Sequence, residues 1–88
     1  MVFAKKKWGQ NFLVDNNLLE KIIKTIDIQK NDEILEIGPG QGALTEKILE
    51  KKPKSLILIE KDYKLYEDLK KKFKNNNKVT LFNSDVLK

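Results

Sequence analysis

The chain has 88 residues, which allows one small domain with a marginal core. It contains neither cysteine nor histidine, which excludes disulfides, thiolate nucleophiles, imidazole bases and the metal sites built from these side chains. Its 18 lysines, with no arginine, outweigh 13 acids to give a net charge of +5, a balance compatible with a polyanionic partner held through its phosphates rather than its guanine edges.

The first predicted element is a helix that follows Asp15, whose carboxylate can cap it. Its apolar residues recur at the spacing of one helical face. They are Leu18, Leu19, Ile22, Ile23 and Ile26. The segment KKKWGQNFLVD, residues 5–15, is too polar for a core element and too specific in its order for a random tail.

Three apolar runs further along the chain predict strands, at Glu33–Ile37, Ser55–Glu60 and Val79–Phe82. Between them we expect one helix over residues 43–51 and another that Asp62 caps. The second run is apolar almost throughout, as in a strand that helices cover on both faces. The order α-β-α-β-α-β predicts an α/β fold with three parallel strands, the first half of a doubly wound Rossmann-like sheet.

No segment is apolar for long enough to span a bilayer, because the longest apolar run, Leu56–Ile59, has four residues. The N-terminus also lacks the apolar stretch and cleavage site of a signal peptide. We therefore expect a cytoplasmic protein.

Each predicted strand ends near an acid: Glu36, Glu60 and Asp85 respectively. Open parallel sheets bind ligands beyond the carboxyl ends of their strands, so these three acids are candidate binding residues. The alternative for each of them is an ordinary solvated strand end.

The turn after the first strand has three glycines in five residues, Gly38–Gly42. Glycines there permit positive φ and let a ligand approach the backbone, and the next helix presents free N–H groups. Gly38, Gly40 and Ala43 fit the dinucleotide template, with Glu60 placed as its ribose-binding acid. Three interpretations remain open: a dinucleotide pyrophosphate, a nucleoside such as S-adenosylmethionine, or a tight turn without a ligand.

Charge favours the nucleoside. Glu36 lies two residues before Gly38, and a carboxylate there suits an ammonium and a sulfonium better than a pyrophosphate. Glu60 could accept hydrogen bonds from both ribose hydroxyls, and Asp85 one from an adenine amino group.

Four motifs give the chain a family resemblance: GQNFL at 9–13, EIGPGQGALT at 36–45, IEKD at 59–62 and SDVLK at 84–88. Over its whole length it resembles the N-terminal part of a ribosomal RNA adenine N6,N6-dimethyltransferase, most closely the small-subunit type. The resemblance implies a class I methyltransferase fold that binds S-adenosylmethionine. It also implies dimethylation of two adjacent adenines in small-subunit RNA during ribosome biogenesis.

The resemblance also implies roles for individual residues of segment 1–88, read as the N-terminal part of the cofactor-binding domain. Asn11, Leu13 and Gly38 would contact the methionine side of the cofactor, Glu60 its ribose and Asp85 its adenine amino group. The other candidate cofactor residues are Gln10, Glu36 and Gly40. In segment 1–15, which would contact cofactor and RNA, the candidates for RNA phosphates are Lys5, Lys6 and Lys7, for which a solvated tail is the alternative.

The catalytic motif of the family, Asn-Leu-Pro-Tyr or a near variant, is expected beyond Lys88, together with a helical C-terminal domain. The segment should therefore supply most of the cofactor site and no catalytic residue, and should be inactive alone. We also expect a free edge on Glu33–Ile37, where a fourth strand would pair, covered by another chain or used for self-association.

The expected partner is small-subunit ribosomal RNA or its precursor particle, with no membrane and no metal. Two alternatives to the enzyme remain: a nicotinamide-dinucleotide module, and a non-catalytic RNA-binding or assembly factor of the same fold.

Overall fold

The computed structural model describes residues 2–5 and 16–86. Strands and helices alternate as expected from the apolar runs. In chain order they are β1 (Val2–Lys5), α1 (Asn16–Ile26), β2 (Glu33–Ile37), α2 (Ala43–Glu50), β3 (Ser55–Glu60), α3 (Tyr63–Lys72) and β4 (Val79–Asn83). The predicted α-β-α-β-α-β order is confirmed, β2 and β3 with the predicted bounds, and β1 is an addition to it.

β1 corrects the expectation of a free edge. It pairs in parallel with β2, from Val2 beside Ile34 to Lys5 beside Ile37. The edge of β2 is therefore occupied by the same chain, and the prediction that another copy or chain would cover it is wrong. The short run Val-Phe-Ala has the apolar character of a strand, but the lysines that follow it conceal this in the sequence.

The four strands form one parallel sheet in the order β1-β2-β3-β4. Every crossover steps in the same direction, and right-handed crossovers then place the three helices on one face. The core lies between that face and the helices. Its buried cluster includes Leu19, Ile23, Leu44 and Ile48 from α1 and α2, and Ile34, Leu56 and Leu58 from the sheet.

The opposite face of the sheet lies outside this core cluster and is mostly apolar beyond Glu33 and Ser55. It includes two rows in register, Leu35–Ile57–Thr80 and Ile37–Ile59–Phe82. We call these six residues the open face. Phe82 is 50% exposed, and the residues of β3 alternate between buried and half-buried. The helices α1–α3 thus do not cover both faces of β3 as predicted. Each crossover steps in the same direction along the sheet, and the three helices therefore lie on one face.

One of the two helix caps predicted from the sequence lies within the described residues. The carboxylate of Asp62 caps α3 by accepting a hydrogen bond from Leu65 N at 3.0 Å, as predicted. The predicted cap at Asp15 lies outside the described residues. Of α1, α2 and α3, none is long and apolar enough to cross a membrane.

Candidate functional site

The glycine turn between β2 and α2 adopts the backbone that its sequence predicts. Gly38, Gly40 and Gly42 have φ of 69°, 62° and 88°, in the left-handed region that favours glycine. The turn is fastened to the end of β3, because Gly38 N donates to Ile59 O at 2.8 Å and Gly40 N donates to a Glu60 oxygen at 3.0 Å. This bonding fixes the backbone at the carboxyl edge of the sheet.

Glu60 links that turn to the start of α3. Its side chain is buried, with one oxygen accepting from Gly40 N and the other from Asp62 N, each at 3.0 Å. An ionised carboxylate has about four lone-pair positions, so two remain for other donors. The sequence predicts Glu60 as a ligand acceptor but does not reveal this role in ordering two turns, because no local pattern indicates a contact across 20 residues.

Glu36 lies at the end of β2 beneath the glycine turn and is 2% exposed. One of its oxygens accepts a hydrogen bond from the Thr45 hydroxyl at 2.6 Å. Burial raises the pKa of Glu36 to about 7, the Thr45 bond opposes that rise, and the nearby charge of Glu60 adds to it. Among the described residues no ion pair reaches this carboxylate. The described part of the site therefore contains a buried acid without a countercharge.

Asp85 follows β4 and is half-buried. The end of β4 is attached to the end of β3, since Ser84 N and Asn83 Nδ2 both donate to Glu60 O, at 3.2 and 2.9 Å. Adjacent parallel strands thus bring Glu36, Glu60 and Asp85 to one edge of the sheet, as their positions in the sequence predict.

Of the candidate cofactor and RNA contacts in the N-terminal segment, the structure describes only Lys5. Lys5 ends β1 in register with Ile37, which places it at the same edge of the sheet. The others lie outside the described residues: Lys6, Lys7, Gln10, Asn11 and Leu13. Within 2–5 and 16–86, no group of three or more acids is arranged to hold a metal ion.

Lys72 is a residue of the site that sequence reasoning missed. From the last turn of α3, its ammonium donates to Gln41 O of the glycine turn at 3.0 Å and lies 3.2 Å from a Glu46 oxygen in α2. It therefore ties two helices to the turn. In the sequence it is one of three consecutive lysines, and nothing local distinguishes it from its neighbours.

A family model described as "Ribosomal RNA adenine dimethylase" matches residues 1–88. The curated protein "Ribosomal RNA small subunit methyltransferase A" of Pelagibacter ubique (strain HTCC1062) is 53% identical over 99% of this chain and 32% of its own length. The protein of that name from Hydrogenobaculum sp. (strain Y04AAS1) is 45% identical over 98% and 33%. The chain spans about a third of the length of the curated relatives it matches.

Two solved structures share the fold. A dimethyladenosine transferase from Plasmodium falciparum aligns with a TM-score of 0.75 and 33% identity, over 84% of this chain and 27% of that one. The 23S rRNA methyltransferase ErmE aligns with a TM-score of 0.77 and 28% identity, over 88% and 31%. The architecture predicted from alternating helices and strands is thus found in methyltransferases of known structure.

Proposed function

This chain belongs to the ribosomal RNA adenine dimethylase family, and on that premise we propose that it forms the N-terminal part of the S-adenosylmethionine-binding domain of a small-subunit ribosomal RNA methyltransferase. The whole protein would dimethylate N6 of two adjacent adenines in the cytoplasm, acting on the RNA or its precursor particle. The observation that carries the proposal is the set of three acids around a fastened glycine turn.

The described residues fit this cofactor by charge and by hydrogen bonding. Glu36 is a buried carboxylate that no cation of the described residues reaches, and it would face the ammonium and sulfonium. The free lone pairs of Glu60 would accept from the ribose hydroxyls, and Asp85 from the adenine amino group. Gly38 and Gly40 carry no side chain that would keep a ligand from the backbone of the turn. In the roles that the family resemblance implies, Asn11 and Leu13 would complete the methionine side, Gln10 would be a further cofactor contact, and Lys5–Lys7 would contact RNA phosphates.

Methyl transfer depends more on the correct placement of the reacting groups than on a strong base. When bound, the cofactor supplies an electrophilic methyl group on a positively charged sulfur. The residues of this chain would hold that sulfur and its ribose in a fixed orientation, so that a nitrogen can attack in line. The acceptor adenine and its protons would be held by residues beyond this segment, so the segment contributes binding and orientation and no catalytic residue.

Calorimetry with S-adenosylmethionine and NAD in parallel tests the cofactor. NAD is the alternative because Glu60 also occupies the ribose-acid position of the dinucleotide template. We expect S-adenosylmethionine to bind more tightly than NAD. The substitution Glu60→Gln should weaken the affinity for S-adenosylmethionine at least tenfold, whereas Glu50→Gln, at an exposed position, should leave that affinity unchanged. Tighter binding of NAD contradicts the proposal. Salt-sensitive RNA binding without any cofactor affinity supports the non-catalytic alternative instead.

A chimera tests the activity of the whole protein. These 88 residues would replace the matching residues of the Pelagibacter ubique relative, with which they share 53% identity. The chimera should dimethylate adenines in small-subunit RNA, measured by mass spectrometry of RNA digests. A folded chimera that binds cofactor but methylates no RNA would overturn the assignment of the enzyme.

A further inference from the structure

Thr45 lies beside the proposed cofactor site, and neither the motifs nor the comparisons assign it a role. It belongs to the first turn of α2 and its side chain is fully buried. Its hydroxyl donates to a Glu36 oxygen at 2.6 Å, a short bond of the kind that charged acceptors form. Among the described residues it is the one side chain that hydrogen-bonds to Glu36.

The other charged group that acts on Glu36 within residues 16–86 does not favour its ionised form. From β3, Glu60 faces it with a like charge. From β1, its register partner is Ala4, which has no ionisable group. Among the described residues, the hydroxyl of Thr45 is thus the group that offsets desolvation of the carboxylate and restricts its orientation.

We propose that Thr45 is a positioning residue that orients Glu36 and keeps it able to ionise, so that its carboxylate can meet the positive end of the cofactor. This inference rests on the proposed function. A cationic ligand supplies a countercharge that the described residues do not give Glu36, and binding therefore favours loss of the carboxyl proton to the solvent. Because Glu36 has a pKa of about 7 without a ligand, affinity should rise with pH up to that value and level off above it.

Calorimetric titration of the 88-residue chain with S-adenosylmethionine between pH 5.5 and 8 tests this linkage. For the wild type we expect affinity to rise about tenfold per pH unit below pH 7. Buffers of different ionisation enthalpy should show release of up to one proton per cofactor bound. Thr45→Val removes the donor, so its profile should level off at a higher pH, whereas Thr45→Ser should keep the wild-type profile.

Two further measurements distinguish positioning from simple damage to the fold. Thr25→Val is the matched control, because its hydroxyl bonds to Lys21 O on the exposed side of α1, and it should leave the profile unchanged. Titration of the Glu36 carboxyl carbon by NMR, without ligand, should show its pKa raised in Thr45→Val. This readout requires a folded protein but no cofactor.

The outcomes separate this inference from the proposed function. If Thr45→Val is folded and keeps both the wild-type binding profile and the wild-type Glu36 titration, the positioning role is wrong while cofactor binding stands. If the Glu36 titration moves but the binding profile does not, Glu36 does not meet the cofactor and the inference also fails. A wild-type chain that binds no S-adenosylmethionine at any pH overturns both.

Discussion

Two buried glutamates at neighbouring strand ends have different surroundings. Both oxygens of Glu60 accept backbone N–H groups, whereas Glu36 has a single hydroxyl from Thr45. The sequence predicts that both are acids at the ligand edge, because this depends only on their distance from the end of a strand. It cannot predict their hydrogen-bond partners, which come from α2 and from turns that meet only in the folded chain.

Glu36 should make the chain less stable as pH rises. Folding raises its pKa from an ordinary 4.5 to about 7, so between these values the folded state binds the proton that the unfolded state releases. The resulting stability is complete below pH 4.5 and is lost as pH rises to 7, at a cost on the order of 3 kcal/mol. Glu36→Gln keeps a hydrogen-bond acceptor for Thr45 and should abolish this loss.

Urea denaturation at pH 5 and pH 8 measures the effect. The difference between the two pH values should be smaller in Glu36→Gln than in the wild type, while the exposed Glu33→Gln should behave as the wild type. Equal differences in all three proteins would show that Glu36 ionises as freely in the folded chain as in the unfolded one.

At the scale of elements, the sequence predicts what local periodicity and local capping determine. β2 and β3 have the predicted bounds, and α3 begins at the predicted cap, Asp62. β1 was not predicted, because four residues have no periodicity of their own and their partner strand lies some thirty residues away. The contact between Lys72 and Gln41 was also not predicted, because it joins the end of α3 to a turn that lies two elements earlier in the chain.

Gly42 shows how closely α2 and α3 pack. It precedes α2 with φ of 88°, and a Cβ there would lie 3.3 Å from Leu69 Cδ2 and from Phe73 Cε2. Gly42→Ala should therefore destabilise the chain by about 1–3 kcal/mol, through backbone strain and displacement of α3.

Thermal denaturation measures this loss, with Gln41→Ala as the control. Gln41 is exposed, and alanine keeps the backbone carbonyl that Lys72 binds. A Gly42→Ala protein that melts within a degree or so of the control would mean that the turn and α3 adjust without strain.

At the scale of the whole molecule, the sheet has one covered face and one open face. The six residues of the open face carry no charge, although the exposed Glu33 lies on the same side at the start of β2, and all-parallel sheets are ordinarily buried on both faces. In the sequence, the apolar run of β3 indicates a strand that is buried on both faces. Which face α1–α3 cover depends on the direction of the crossovers, and that direction is a property of the folded chain. The curated relatives that the chain matches are about three times as long as the chain itself.

The isolated 88-residue chain should self-associate through the open face rather than through the edge of β2. Phe82→Lys should shift it toward monomer, because a charge placed at the half-exposed corner of this face disfavours burial. Tyr63→Lys is the matched control, since Tyr63 is also an exposed aromatic but belongs to α3 on the other side of the sheet.

Sedimentation equilibrium over a range of concentrations measures the association. Equal association of the wild type and Phe82→Lys would place the contact elsewhere, and a monomeric wild type at its highest soluble concentration would contradict self-association altogether.

The order of the strands in space is also their order along the chain. Each strand after β1 can therefore pair with a strand that has already been synthesised when it leaves the ribosome, and no pairing depends on a distant later segment. Sheet formation can proceed by successive docking during translation, with the glycine turn fastened as soon as β3 is synthesised.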